Sequence, residues 1–265
     1  MLRQALALVA YVFAFGAITY MSSWVWNLSV LVPQLTDYLP LGIDGKPFID
    51  LALPNLAAKT CFNCLLMLPL AIQHNVMSRT KVKAHMRKVV PFAWERTLFV
   101  TCAACAVLTL MHLWQPMPHT VWQVPAPYDL LVVCVAVLAF GLFFSSTFAV
   151  DHLDMFGLRQ AFTGADEHTY RRPGLVLNVY YSFVRHPLYL GLLMFLFCAP
   201  TMTAGRLLFA LLNLGFVLWS LPLEEGDLEA AMGPAYAHYR RSVPALIPAL
   251  RPYVQTHEAM MRKNM

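Results

Sequence analysis

The chain has 265 residues, 59% of them hydrophobic and only 12% charged, with a formal net charge of +5. Ordinary soluble domains are about 45–50% apolar and about 25% charged, so the composition excludes a soluble fold and leaves an all-α integral membrane protein, a single domain over residues 1–265. The charge implies no nucleic acid as partner, because basic loops lie equally well against the anionic headgroups of membrane lipid.

Apolar runs near the ~20 residues that cross a ~30 Å hydrocarbon core recur along the chain. The first, residues 2–26, outlasts the core of a secretory signal, and no small-x-small cleavage site follows it, so it reads as a retained helix. The second, residues 51–76, ends in AIQHNVMSR, where Gln73, His74 and Asn75 are three polar residues in a row. A basic loop follows with Arg79, Lys81, Lys83, Arg87 and Lys88, then a third span over residues 95–114. These two spans carry Cys61/Cys64 and Cys102/Cys105, a spacing that zinc sites use. Both pairs lie inside apolar helices without a glycine-rich knuckle, and there cysteine packs as a small hydrophobe. No metal is expected.

A fourth span, residues 128–150, leaves the membrane as FAVDHLDMFGLRQ, with Asp151, His152, Asp154, Arg159 and Gln160 at its exit. A short fifth run, residues 188–201, is joined to a sixth, residues 206–223, by a tight turn at Pro200, Thr201, Thr203 and Gly205. The last two form a hairpin that need not span independently, so the bundle has five to six transmembrane helices. Glu224 and Glu225 are expected to open an amphipathic helix, since carboxylates favour a helix N-terminus. Gly233-Pro234 then reads as a stop followed by a new start, folding Tyr236, Tyr239, Arg240 and Arg241 back as a C-terminal cytoplasmic helical lid.

Lys and Arg gather in cytoplasmic loops. The second loop, the region with Arg159, Arg171, Arg172 and Arg185, and the tail with Arg240, Arg241, Arg251, Arg262 and Lys263 therefore share the inner side, and both termini face in. Connections 33–50 and 115–127 hold only Lys46 as a strong base, as outer loops should. An ionised side chain at mid-bilayer costs ~2.5–3.5 kcal/mol on insertion scales, so the polar clusters belong to a cavity or mouth at the inner ends of the helices. His-Glu-x-x-His and Gly-x-Gly-x-x-Gly are both absent, leaving no foothold for a metalloprotease or a Rossmann cofactor fold.

The stretch YSFVRHPLYLG, then EEGDL, GPAYAHY and SVPALIP, resembles the C-terminal half of the isoprenylcysteine carboxyl methyltransferase and phospholipid methyltransferase superfamily over residues 181–248. DHLDMFGLRQ and AIQHNVMSR resemble its bacterial branch, which includes the methanethiol S-methyltransferases and the NnrU-type membrane proteins. The resemblance implies S-adenosyl-L-methionine as cofactor and a small volatile thiol as acceptor, methanethiol giving dimethyl sulfide. It also implies a bacterial inner-membrane location, with 1–150 as N-terminal helices and 151–265 as the cofactor-binding and catalytic half. Hydrogen sulfide, an isoprenylcysteine carboxylate and a phospholipid amine are alternative acceptors, and a non-catalytic NnrU-like membrane protein is the contrasting class.

Within that resemblance, Arg185 or Arg240 meets the methionyl carboxylate, and Glu224 or Glu225 the ribose hydroxyls or the amine. Tyr181, Tyr189, Tyr236 and Tyr239 stack on adenine or face the sulfonium. His186 and Pro187 fix the turn, and Gly191 leaves room for close backbone approach. His152 oriented by Asp154 is the expected base for the thiol, with His74 and His186 in reserve. Their contact needs a turn at the helix exit, since residues two apart do not face each other on a regular helix. Asp151, Met155, Phe156 and Arg159 are expected around the acceptor.

Overall fold

The computed structural model describes residues 2–28, 42–164, 166, 169–170 and 180–253. Arg171, Arg172, Arg262, Lys263 and residues 33–41 of the first outer connection lie outside these. Helix α1 (Leu2–Val25) buries Ala7, Ala10, Ala14 and Ala17, a small-residue stripe at three- and four-residue spacing that lets α4 (Phe92–Leu113) pack closely. Between them come α2 (Leu56–Ser78), capped by the Asn55 side chain accepting from the Ala58 amide, and α3 (Thr80–Met86), a short helix bearing Lys81 and Lys83. Strand β1 (Thr120–Gln123) leads into α5 (Tyr128–Val150). Helices α6 (His152–Met155) and α7 (Leu158–Thr163) then fold back against the ends of α1 and α4.

The expected crossing at 188–201 is only partly helical. Helix α8 (Pro187–Phe197) has 11 residues, about 16 Å at 1.5 Å per residue, roughly half of the hydrocarbon core. The chain continues through Pro200 into β2 (Thr201–Thr203), which pairs antiparallel with β1, Thr120 opposite Thr203 and Gln123 opposite Thr201. This small ribbon satisfies backbone groups where the helix has stopped. Among the described residues five helices are therefore long and apolar enough to cross a membrane: α1, α2, α4, α5 and α9 (Ala204–Met232).

Helix α9 also corrects the reading of Glu224 and Glu225. They do not open a new helix; they lie near the end of a 29-residue one that passes through Pro222. A proline costs a membrane helix one backbone bond, and neighbouring groups re-satisfy the freed carbonyl, so it need not end the helix. The helix does end at Gly233, whose φ of +63° is open to glycine without a Cβ penalty. Pro234 then starts α10 (Pro234–Ser242), which turns Tyr236, Tyr239 and Val243 inward against Leu228 and Met232.

The two halves of the bundle differ in how they are filled. Near the β-ribbon, Trp24, Trp114 and Phe209 meet edge to face at 5.7–5.9 Å in one core that also takes in Ile43, Met67, Leu110 and Leu196. Such aromatic triads add about 0.5–1.5 kcal/mol per pair beyond area burial. At the other end the core divides into an α1/α4/α6 cluster around Phe156 and a separate one beneath α10. The polar clusters singled out in the sequence lie in that divided end, while Asn63, Gln115, Thr203 and Arg206 are buried at the β-ribbon end.

Candidate active site

Glu225 is the hub of one group. It is 2% exposed, and its Oε1 accepts from Arg185 Nε and Nη2, each at 2.7 Å, and contacts His186 Nε2 at 3.1 Å; its Oε2 meets Arg240 Nε at 2.9 Å. Such a carboxylate is tolerable away from water only because its partners supply the compensating charge. The third guanidinium nitrogen of Arg185, Nη1, donates to the backbone carbonyls of Arg240 (2.6 Å) and Val243. Residues following α10 lie along the 181–186 turn: Arg185 and His186 amides donate to Pro244 and Ala245 carbonyls, and the Tyr239 hydroxyl donates to the Tyr181 carbonyl at 2.7 Å. His186 stacks on Tyr189 with ring centroids 5.5 Å apart, and Pro187 is the first residue of α8.

Glu224 faces a different set. The Tyr189 hydroxyl donates to it at 2.8 Å, and its charge also acts on His74 and Tyr181. His74 sits edge-on between Phe99 and Phe216 at 5.2 and 5.3 Å, and Arg79 closes this side through a 3.0 Å ion pair with Asp227. Burial, with the Glu224 charge adding, pushes the Tyr181 phenol up to about 12. Tyr236 and Tyr239 are pushed up as well, chiefly by burial. All three stay protonated near neutrality. The ends of α2, α8 and α9 are thus brought together as the sequence anticipates.

Gly191 does leave room for a close backbone approach, and the backbone is that of α5. A Cβ there would lie 2.5 Å from the Phe143 amide nitrogen and 2.8 Å from the Ala139 carbonyl oxygen, so the close approach it permits is to α5, not to a ligand.

The exit of α5 builds a second group. Asp151 caps α6, accepting from the Asp154 amide at 3.0 Å, and pairs with Arg159 at 2.7 Å. Asp154 does not reach His152. It accepts from the Tyr170 hydroxyl and faces Arg96 at 3.6 Å, because α6 is a true helical turn and two residues apart point to different sides. His152 is buried, with Nδ1 2.8 Å from the Thr147 hydroxyl and Nε2 3.0 Å from the Tyr11 hydroxyl. Phe148 stacks on its ring at 4.1 Å and Phe156 tilts against it at 4.8 Å. Burial lowers its pKa from the ordinary 6.5, with Asp151 pulling the other way, so the ring is neutral at pH 7. Met155 and Phe156 pack with Val100 and Tyr11 in the apolar cluster beside it.

Sequence reasoning missed Tyr11, Thr147, Arg96 and Tyr170. Tyr11 is one aromatic residue in a greasy helix, and no local signal separates it from packing residues.

The fit to a polar methyl donor rests on the first group. Glu224 has a hydrogen bond only from Tyr189 among the described residues, and Asn75, 2% exposed, has its Nδ2 atom without a partner among them. Acceptors, a donor and four phenol rings at one end of the bundle suit a ligand with an amine, hydroxyls and a purine. Among the described residues no group of three or more His, Cys, Asp or Glu could hold a metal ion.

Comparison with known proteins gives a consistent result. The chain is 42% identical to methanethiol S-methyltransferase 2 of Bradyrhizobium diazoefficiens, over 76% of this chain and 78% of that protein. It is 37% identical to the methanethiol S-methyltransferase of Mycobacterium tuberculosis, over 70% and 77%. Nurim of Xenopus laevis is more distant, at 28% over 64% of each chain. No family model and no solved structure matches. A mostly helical membrane bundle with this polar site at one end, sharing this identity over most of its length with such enzymes, is itself a methyltransferase, and the chain belongs to the methanethiol S-methyltransferase family.

Proposed function

We propose that this protein methylates methanethiol with S-adenosyl-L-methionine, releasing dimethyl sulfide, at the divided end of its bundle. That end faces the cytoplasm of a bacterial inner membrane, and residues 151–265 supply most of the cofactor contacts within a single integral domain. The observation that carries the reading is the hydrogen bond of Glu224 with Tyr189, with His74 within reach of the Glu224 charge, beside the Arg185–Glu225–Arg240 frame. The orientation rests on the basic residues Arg79, Lys81, Lys83, Arg159, Arg185 and Arg241 gathered in the loops and tail on this side.

The geometry narrows roles that the sequence leaves open. Every donor nitrogen of Arg185 is committed to Glu225 or to backbone carbonyls, whereas the Arg240 side chain is 42% exposed, so Arg240 meets the methionyl carboxylate. Glu225 holds the frame, and Glu224 takes the amine or ribose hydroxyls. Tyr181, Tyr189, Tyr236 and Tyr239 supply the π faces for the adenine and the cationic sulfur. The cofactor contributes an electrophilic methyl group. The protein holds the acceptor sulfur in line with that methyl and excludes water, which favours a reaction turning a cation and an anion into neutral molecules. His152 takes the thiol proton, and Phe156 and Met155 line the acceptor side.

Headspace gas chromatography over purified protein tests the reading, with S-adenosyl-L-methionine and methanethiol supplied and hydrogen sulfide and a prenylcysteine analogue run in parallel. Dimethyl sulfide should appear only with cofactor and methanethiol; a protein that binds cofactor but methylates only the prenylcysteine analogue would refute the assigned acceptor.

A further inference from the structure

The surroundings of His152 leave it no free edge. Its faces are covered by Phe148 and Phe156 and its two nitrogens by Thr147 and Tyr11, so a thiol cannot meet the ring directly. The hydroxyl geometry fixes where the protons are. Thr147 Oγ1 lies 2.7 Å from the Phe144 carbonyl oxygen, a distance two oxygens hold only with a hydrogen between them, so Thr147 donates there. Its oxygen must then accept from His152 Nδ1–H. A neutral imidazole so protonated carries its lone pair on Nε2, and the Tyr11 hydroxyl is the donor to that lone pair. The chain of bonds runs from Tyr11 O–H to Nε2, and from Nδ1–H through Thr147 to Phe144.

We infer that Tyr11 is the proton relay between the acceptor thiol and His152: the Tyr11 oxygen takes the thiol proton as its own proton passes to Nε2. The inference rests on the proposed thiol methylation with His152 as base. Tyr11 is half-buried while His152 is buried, so Tyr11 is the outward end of the pair, and its oxygen makes no other hydrogen bond among the described residues. The S–H bond breaks as the phenolic O–H re-forms; the old O–H bond breaks as Nε2–H forms; imidazolium and thiolate result. The thiolate then forms its S–CH3 bond while the sulfonium S–CH3 bond breaks, and the imidazolium proton is later released to water. Asp151, paired with Arg159, is the carboxylate whose charge favours the imidazolium; Asp154 is occupied by Arg96 and Tyr170. Thr147 is a positioning residue that keeps the proton off Nε2 until the relay delivers it.

The test compares Tyr11→Phe with His152→Gln in the purified full-length protein, measuring kcat and KM against pH with methanethiol and with the more acidic 2,2,2-trifluoroethanethiol. Tyr11→Phe should lower kcat about 100-fold with methanethiol at pH 7, as loss of acid–base assistance does, with KM little changed. The deficit should shrink as pH rises and largely vanish with the acidic thiol, which a structural defect would not do. If His152→Gln loses turnover and Tyr11→Phe does not, the relay is overturned and the base stands. If neither loses turnover, the base assignment falls and the relay with it. Equal loss with both thiols at all pH values assigns Tyr11 to packing and also overturns the relay. Should Tyr11→Phe fail to fold, Thr147→Val and Thr147→Ser decide: the tautomer argument requires loss in the first, rescued by the acidic thiol, and retention in the second.

Discussion

Replacing Glu225 and replacing Glu224 should do different things, although the two are neighbours on one helix. Glu225→Ala removes the only carboxylate that meets Arg185 among the described residues; Arg185 is 10% exposed, and the change also strips the charge facing His186 and Arg240. Breaking a buried ion pair from one side costs about 3–5 kcal/mol, because the partner's charge stays behind uncompensated. At 1.36 kcal/mol per decade that is roughly two to four decades in the folded-to-unfolded ratio. Glu224→Ala removes one hydrogen bond, from Tyr189, worth about 1 kcal/mol net. Chemical unfolding in detergent, followed by tryptophan fluorescence, gives the stabilities, and isothermal titration with S-adenosyl-L-methionine gives the affinities. Glu225→Ala should lose both stability and affinity, and Glu224→Ala mainly affinity. Equal stability losses, or a Glu225→Ala protein as stable as wild type, would refute the reasoning that Glu225 holds the frame while Glu224 faces the ligand.

Further outcomes follow from the site and the packing. A base acts only when unprotonated, and the His152 pKa lies below 6.5, so turnover should rise with pH along an acid limb centred below 6.5 and be level near neutrality. Asp151→Asn removes the charge that raises this pKa, so the limb should move to still lower pH, as rate-against-pH measurements on both proteins will show; a shift upward would contradict the electrostatics. The same depression means that the neutral ring's share of folding stability is present above pH 6.5 and lost as pH falls through its folded pKa. Gly191→Ala forces a methyl group to within 2.5 Å of the α5 backbone and should cost about 1–3 kcal/mol, read as a lowered thermal midpoint; an unchanged midpoint would show that α5 and α8 can separate freely.

Much of the fold was legible because a bilayer imposes a length on apolar runs: the helices at 2–26, 95–114 and 128–150 are recovered within a few residues. The stop at Gly233 and the restart at Pro234 were equally local. The short α8 was harder, since hydropathy measures greasiness and not backbone shape, and the run 188–201 is as apolar in its extended part as in its helical part. Glu224 and Glu225 were misplaced because Pro222 and two carboxylates imitate a helix start. Within the site, residues on one short segment, such as Arg185 and His186, declared themselves by crowding. Tyr11 and Thr147 could not, because their meaning comes from His152, 141 residues away from Tyr11 in the chain. The expected His152–Asp154 contact failed on helical geometry alone.

The far end of the bundle carries a consequence for how the protein is made. Asp44, in the connection between α1 and α2, accepts from the Thr203 hydroxyl at 2.7 Å and pairs with Arg206 at 3.4 Å, and the β-ribbon joins Thr120 to Thr203. The two ends of that first contact are separated by 159 residues, about 8–30 s of synthesis at 5–20 residues per second. The early helices must therefore wait in the bilayer with their end unlatched until α9 arrives. Assembly of this enzyme waits for α9, and a chain halted before residue 203 would lie in the membrane without its clasp.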